Sequence, residues 1–209
     1  MEIKESQYNF SEMHQRMQFY VDAGILPCCA TAVFKGTDLV DHQTFGFMDL
    51  ETREPLRDDA IYRMASNTKL VTSVALMMLQ EEGLFDLDDP LAKFIPEFGE
   101  LQVLQPDATT AADVHPAKNL ISIRHLLSHS AGLSYGFVEP DSVIDQCYLN
   151  GGVNGLGEKD IDLEELCAGI AKLPLAFEPG TSWRYSFATD VCARLVEVLS
   201  GQSFDAILR

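Results

Sequence analysis

The apolar residues Phe10, Met13, Met17, Tyr20 and Val21 recur at close to helical spacing, and Gly24 follows them. Residues 10–23 therefore predict a helix. Cys29-Ala30-Thr31-Ala32-Val33-Phe34 is a short apolar run stopped by Lys35-Gly36-Thr37-Asp38, and a second run extends over residues 39–48. The pair predicts a β-hairpin. After a polar stretch at 49–59, Ile61-Tyr62-Arg63-Met64-Ala65 leads into Ser66. Residues 66–82 are strongly helical in pattern, with Leu70, Val74, Met77 and Met78 on one side and Gly83 at the end.

Beyond that helix, Asp86-Leu87-Asp88-Asp89-Pro90 restarts the chain, since proline is tolerated in a helix's first turn. Residues 102–118 are polar and aperiodic and predict an exposed loop. Residues 122–129 predict a short helix, with Ser122 as its cap and Gly132 just past its end. Asn150-Gly151-Gly152-Val153-Asn154-Gly155-Leu156-Gly157 lacks the preceding strand and Lys-Ser/Thr ending of a phosphate-cradling loop, so it reads as a flexible connection. Asp160 or Asp162 caps a helix running to Lys172. Phe177-Glu178-Pro179-Gly180-Thr181 reads as a turn, Trp183-Arg184-Tyr185 as extended chain, and residues 188–199 as a helix closed by Gly201. After the hairpin there is almost no strand signal.

Composition narrows the function classes. The 209 residues are nearly half apolar and carry a formal charge of -17, which fits a globular protein and opposes a phosphate backbone or anionic lipid as partner. The longest apolar run, 71–79, is far short of the ~20 residues of a membrane span. Residues 1–6 show no secretory signal pattern. Five cysteines (Cys28, Cys29, Cys147, Cys167, Cys192) without paired C-x-x-C units fit reduced thiols and a cytoplasmic location. His125 and His129 are four apart on a helix, but Leu126 stands where a metalloprotease would carry Glu, so a structural role is expected and no metal site. Pro90-Leu91 breaks any calcium-loop register for Asp86, Asp88 and Asp89, which read as helix-start carboxylates. Met77 and Met78 read as core packing.

The chemistry concentrates at Ser66-Asn67-Thr68-Lys69. In the first turn of a helix, Lys69 is the i+3 neighbour of Ser66 on one face. A serine hydroxyl needs a nearby base to act as nucleophile, and a lysine can serve only with a pKa lowered by burial or positive potential. A helix start supplies that potential, and the Ser66 N–H could form half of an oxyanion hole. A capping serine followed by a solvated lysine would give the same four residues.

The wider context resembles the penicillin-recognising serine enzymes, and most closely the class C β-lactamase-like group that includes family VIII carboxylesterases, D-aminopeptidases and acyltransferases. The resemblance is carried by Tyr62-Arg63-Met64-Ala65-Ser66-Asn67-Thr68-Lys69 with the later Glu82-Gly83-Leu84-Phe85-Asp86-Leu87-Asp88-Asp89-Pro90-Leu91, by Ile121-Ser122-Ile123-Arg124-His125-Leu126-Leu127-Ser128-His129-Ser130-Ala131-Gly132-Leu133, and by Phe177-Glu178-Pro179-Gly180-Thr181-Ser182-Trp183-Arg184-Tyr185-Ser186. It implies an α/β (α+β) fold of the β-lactamase/transpeptidase type, an antiparallel sheet flanked by helices plus a mainly helical domain. Residues 1–60 would begin the α/β domain, and 61–209 would hold the nucleophile helix and helical domain. It also implies that Tyr185 shuttles protons beside Ser66 and Lys69, with the acylation base left open between Lys69 and Tyr185, and that no cofactor is used.

Two departures bear on substrate. β-Lactamases of this group carry Tyr-x-Asn, and here Phe187 stands at the third position, offering no hydrogen bond to an amide substrate. That resembles the esterase branch. The group's third motif, Lys-Thr-Gly or an equivalent on a later strand, has no match. A hairpin is marginal alone, so a further C-terminal segment of the same protein is expected to complete the sheet. The expected activity is ester hydrolysis or acyl transfer on a small molecule through an acyl-serine. The alternatives are a β-lactamase or D-amino-acid peptidase acting on amides, and a non-catalytic ligand-binding relative.

Overall fold

The computed structural model describes residues 8–153 and 161–209. The chain divides into two compact units, Met1–Arg63 and Met64–Arg209.

In the first unit, helix α1 (Ser11–Asp22) precedes strands β1 (Cys28–Lys35), β2 (Asp38–Asp49) and β3 (Glu54–Pro55), which form an antiparallel sheet in the order β1-β2-β3. The predicted hairpin pairs from Cys28 opposite Gly46 to Lys35 opposite Asp38. The short third strand comes from the polar stretch, where Asp49 accepts hydrogen bonds from the Glu51 and Thr52 N–H groups and bends the chain back. His14 of α1 hydrogen-bonds Asp41 at 2.9 Å and lies 5.9 Å from the Phe45 ring, which seats the helix on β2. Among the described residues of this unit, Leu39, Phe45 and Leu56 are the buried apolar side chains, and β1 has no ladder partner on its outer edge.

The second unit starts with a 3-10 turn, Ala65–Asn67, that feeds helix α2 (Thr68–Glu81). Strands β4 (Gln102–Leu104) and β5 (Val114–Pro116) follow, then helices α3 (Ile123–Leu127), α4 (Val143–Asn150), α5 (Leu163–Ile170), α6 (Ala188–Ser200) and α7 (Phe204–Ile207). Helix α6 is the axis of the core. Its fully buried Val191, Cys192, Leu195 and Val196 follow one helical face, and α2, α3 and α5 pack around it. Ser122 caps α3 as predicted, its hydroxyl accepting from the His125 N–H while the His125 ring accepts from the Ser122 N–H. Asp162 caps α5, and α6 ends at Gly201. Residues 154–157 of the glycine-rich stretch and Asp160 lie outside the described residues.

Two expectations are corrected. Residues 102–118 are not a plain loop: β4 pairs with β5, and Val103 and Leu104 are buried. Strands of three residues are too short for alternation to reveal, and the polar signal came from their connection, where Asp113 accepts from the Thr109 and Thr110 N–H groups. Helix α2 also packs differently. Its buried side chains are Thr72, Ala75, Leu76 and Leu79, whereas Leu70, Val74 and Met78 are exposed and Met77 is half-buried. The helix is apolar on more than one face, so spacing alone could not say which one meets α6.

This division of α2 has a measurable consequence. In urea denaturation of the 209-residue chain, Leu76→Ala is expected to destabilise by about 2–5 kcal/mol through lost burial and a residual cavity. Val74→Ala, at a 59% exposed position, is expected to stay within about 0.5 kcal/mol. Equal losses at both positions would contradict the packing.

Candidate active site

Ser66 is presented by a strained turn. Ala65, immediately before it, has φ 44°, a left-handed conformation that costs a non-glycine residue roughly 1–2 kcal/mol. Ser66 then lies in the 3-10 turn at the head of α2, with Lys69 one turn on. The Lys69 ammonium donates to Ser66 Oγ at 3.5 Å, and the Tyr185 hydroxyl donates to the same oxygen at 2.8 Å. The structure thus brings together three side chains separated by up to 119 positions in sequence. Phe187 joins them in the wall of a cavity of about 330 Å³, together with Tyr135, Phe137, Leu149, Val153 and Asp190. Phe187 is 3% exposed and packs its ring 4.4 Å from that of Tyr135.

Tyr135 and Asp190 are the residues that sequence reading missed. Tyr135 lies two positions beyond the motif ending at Leu133, and Asp190 falls on the first turn of α6, five positions after Tyr185. The Tyr135 hydroxyl donates to Asp190 Oδ2 at 3.2 Å. Lys69 Nζ sits 5.4 Å from the Tyr135 ring centre and 4.9 Å from that of Tyr185, so both phenols face the ammonium.

The electrostatics of this group bear on which of Lys69 and Tyr185 is the base. Burial of Lys69 acts to lower its pKa, as a basic lysine would need, but the hydrogen bonds to Tyr135 and Tyr185 prevail and hold it above the ordinary lysine value. The two phenols are driven apart. Burial and the Asp190 charge push Tyr135 up to about 12. For Tyr185, burial acts upward, but its hydrogen bonds to Ser66 and Lys69 and the ammonium charge bring it below the ordinary phenol value. Titratable pairs separated in this way mark which group moves a proton and which keeps one.

The positions of the two tyrosines trace to one buried carboxylate. Asp145 of α4, 0% exposed, accepts at Oδ1 from the Ser134 hydroxyl and, at 2.9 Å, from Arg184 Nη2, and at Oδ2 from the Glu139 N–H at 2.6 Å. Arg184 Nε also donates to Ser134 Oγ at 2.8 Å. Ser134 precedes Tyr135 and Arg184 precedes Tyr185, so both phenols are placed by the residues beside them. Two glycines close the same frame. Gly132, at φ 85°, would put a Cβ 2.4 Å from the Phe177 carbonyl, and Gly180, at φ 86°, would put one 2.8 Å from His125 Nε2. The predicted turn at 177–181 is therefore locked onto the segment after α3.

The histidines serve this frame separately. His125 supports the α3 cap, while the His129 ring hydrogen-bonds the Ser186 hydroxyl at 3.3 Å and lies 5.1 Å from the Tyr185 ring. Among the described residues no cluster of His, Cys, Asp and Glu could hold a metal ion. The carboxylates at the restart also act locally, Asp88 binding Arg124 and Asp89 binding Lys93.

With this arrangement in place, the family is clear: the Beta-lactamase family model matches residues 13–209, and the chain belongs to that family. The chain is 35% identical over 162 residues to Esterase EstB of Burkholderia gladioli, covering 77% of this chain and 38% of the esterase. It is 36% identical over 147 residues to Acyltransferase calJ of Penicillium decumbens, covering 70% of this chain and 34% of that protein. Among solved structures, EstCE1, described as a hydrolase with promiscuous acyltransferase activity, superposes with a TM-score of 0.80 at 26% identity over 95% of this chain and 49% of its own. The fold is thus β-lactamase/transpeptidase-like. The chain spans half or less of the length of these relatives.

Asp145 gives the site a test. Asp145→Ala strands the Arg184 guanidinium, which is expected to cost about 3–5 kcal/mol in denaturant melts. Burial acts to raise the Asp145 pKa, but the Ser134, Glu139 and Arg184 hydrogen bonds prevail and hold it below the ordinary carboxylate value. Its contribution is therefore complete above the unfolded value of about 3.9 and fades as pH falls below that. Loss of the same stability at pH 7 and pH 3 would refute the assignment.

Proposed function

We propose that the protein carrying this chain is a serine hydrolase that cleaves or transfers acyl groups of small-molecule esters through a covalent acyl-serine. The observation that carries this reading is the 2.8 Å hydrogen bond between Tyr185 and Ser66, with Lys69 bonded to the same serine oxygen. Similarity to an esterase and an acyltransferase supports it.

In this reading Tyr185, with its lowered pKa, is the base and Lys69 stays an ammonium that favours the phenolate. The phenolate takes the Ser66 proton as Oγ bonds to the ester carbonyl carbon. The tetrahedral oxyanion is met by the Ser66 N–H at the head of α2. As the intermediate collapses, the ester C–O bond breaks and Tyr185 returns the proton to the leaving alkoxide. Water or an acceptor alcohol then gives its proton to Tyr185, attacks the acyl-serine and releases the acid or new ester, and Ser66 regains the proton. None of these steps calls on a cofactor.

Phe187 favours esters over β-lactams or D-amino-acid peptides, because its ring fills the wall where an amide-binding side chain would have to stand. The remainder of the protein is proposed to complete both sheet and site. The exposed apolar face of α2 and the edge of β1, unpaired among the described residues, support this, as does the greater length of the relatives. A cytoplasmic location is supported by five cysteines that are all free thiols.

With p-nitrophenyl butyrate and full-length protein, Ser66→Ala is expected to lower kcat by about a thousandfold or more. A fluorophosphonate probe should label the wild type and not the variant, and unchanged turnover in Ser66→Ala would end this reading. The kcat/KM profile should rise through an acid limb below the ordinary phenol value of about 10, and Tyr185→Phe should abolish that limb. Nitrocefin turnover matching ester turnover would move the assignment to amides.

A further inference from the structure

The cavity at Ser66 contains one carboxylate that the acyl-transfer scheme leaves unused. Asp190 is half-buried on the first turn of α6, and its Oδ2 accepts the Tyr135 hydroxyl proton at 3.2 Å. A neutral phenol has one proton to give. Because that proton is directed to Asp190, the Tyr135 oxygen offers Lys69 only lone pairs. A group held between lone pairs of two phenols is best satisfied as an ammonium. With no carboxylate at 190, Tyr135 would be free to turn its proton toward the amine and let Lys69 become neutral.

We propose that Asp190 is a positioning residue for acyl transfer, acting through Tyr135 to fix the direction of the hydrogen bonds so that Lys69 remains charged and only Tyr185 exchanges a proton with substrate. The inference rests on the reading of Ser66 as nucleophile and Tyr185 as its base. Neither Asp190 nor Tyr135 bonds Ser66, and the chain from carboxylate to nucleophile runs from Asp190 to Tyr135 by a hydrogen bond, from Tyr135 to the ammonium of Lys69, 5.4 Å from its ring centre, and from Lys69 to Ser66 by a hydrogen bond.

The other groups around this chain leave Asp190 as the countercharge. From the α3 side, His129 is held below its ordinary pKa by burial and by the Lys69 charge, and is neutral. Behind Asp190, burial pushes the Cys167 thiol of α5 up to about 12 and raises Cys192 of α6, so both are uncharged. From α2 the facing charge is Lys69 itself. Tyr135 is kept protonated by burial and by Asp190. Burial raises the Asp190 carboxyl above its ordinary value, opposed by the Lys69 charge and the Tyr135 hydrogen bond.

The test is the pH dependence of kcat and KM for p-nitrophenyl butyrate in the full-length protein. Asp190→Asn keeps an acceptor for Tyr135 and removes the charge. It is expected to lower kcat about tenfold with KM within about twofold, and to move the alkaline limb of kcat to lower pH as Lys69 gives up its proton earlier. Tyr135→Phe, which breaks the link without touching the carboxylate, should move the same limb in the same direction. The double variant should be no more than about twofold slower than the slower single, because the two act in series. An alkaline limb left in place by either variant, or losses that multiply in the double variant, would overturn the proposal. If Asp190→Asn fails to fold, the limb position in Tyr135→Phe decides alone. Fluorophosphonate labelling separates the two readings: an unlabelled wild type removes the acyl-serine itself, whereas a labelled wild type with an unmoved limb removes only the role of Asp190.

Discussion

The site depends on the satisfaction of one buried carboxylate. Asp145 has no solvent to face, so its oxygens must be met by protein donors, and those three donors come from two separate stretches of chain. Two of the three immediately precede a tyrosine of the cavity. An apolar contact in the same place would tolerate sliding by several tenths of an ångström, but a carboxylate bound by a hydroxyl, a guanidinium and a backbone N–H has one good geometry. The spacing of the two phenols, 5.3 Å between ring centres, is inherited from that geometry. Arg184 makes the arrangement mutual, since it bonds Asp145, Ser134 and the more exposed Glu139 at once.

Around this anchor the two phenols have acquired different characters from their neighbours. Tyr185 meets the Ser66 hydroxyl and the Lys69 ammonium, both of which stabilise its ionised form. Tyr135 lies deeper against a carboxylate, which stabilises its protonated form. Identical side chains a few ångströms apart are thereby specialised without a metal or an unusual residue. Lys69 is shared between them, and its charge is the common cause of the one shift and a brake on the other.

Much of this was legible in the chain. Spacing predicted α1, the hairpin, α3 with its Ser122 cap, and α6 ending at Gly201, because each has a local signal: a glycine stop, a capping hydroxyl, or an apolar stripe. The strands at 102–104 and 114–116 left no such signal, since their burial depends on Leu175, a bridge to a distant residue. The facing of α2 was illegible for the opposite reason, its apolar residues being too many to define one stripe. At the site, Ser66, Lys69 and Tyr185 could be singled out by residue type and family resemblance, and the structure sets them within hydrogen-bonding distance. Tyr135, Asp190 and Asp145 could not, because a lone tyrosine and two acidic residues among 32 carry no pattern until the chain is folded. The direction of the Lys69 shift was not legible either, because the two phenols that oppose the effect of burial lie far from it in sequence.

Phe187 sets a limit on how this chain could change over evolutionary time. Its ring is wedged against Tyr135 and lies nearly parallel to that of the fully buried Tyr148, 6.3 Å away. Exchanging it for asparagine would vacate an aromatic volume, at roughly 3–5 kcal/mol, and would enclose an amide whose partners do not yet exist, at roughly 1–3 kcal/mol more. Drift from the proposed ester chemistry toward lactams by that single replacement would thus cross an intermediate too unstable to persist. Descendants of this sequence would have to repack the neighbourhood of Tyr148 before such an exchange could be kept.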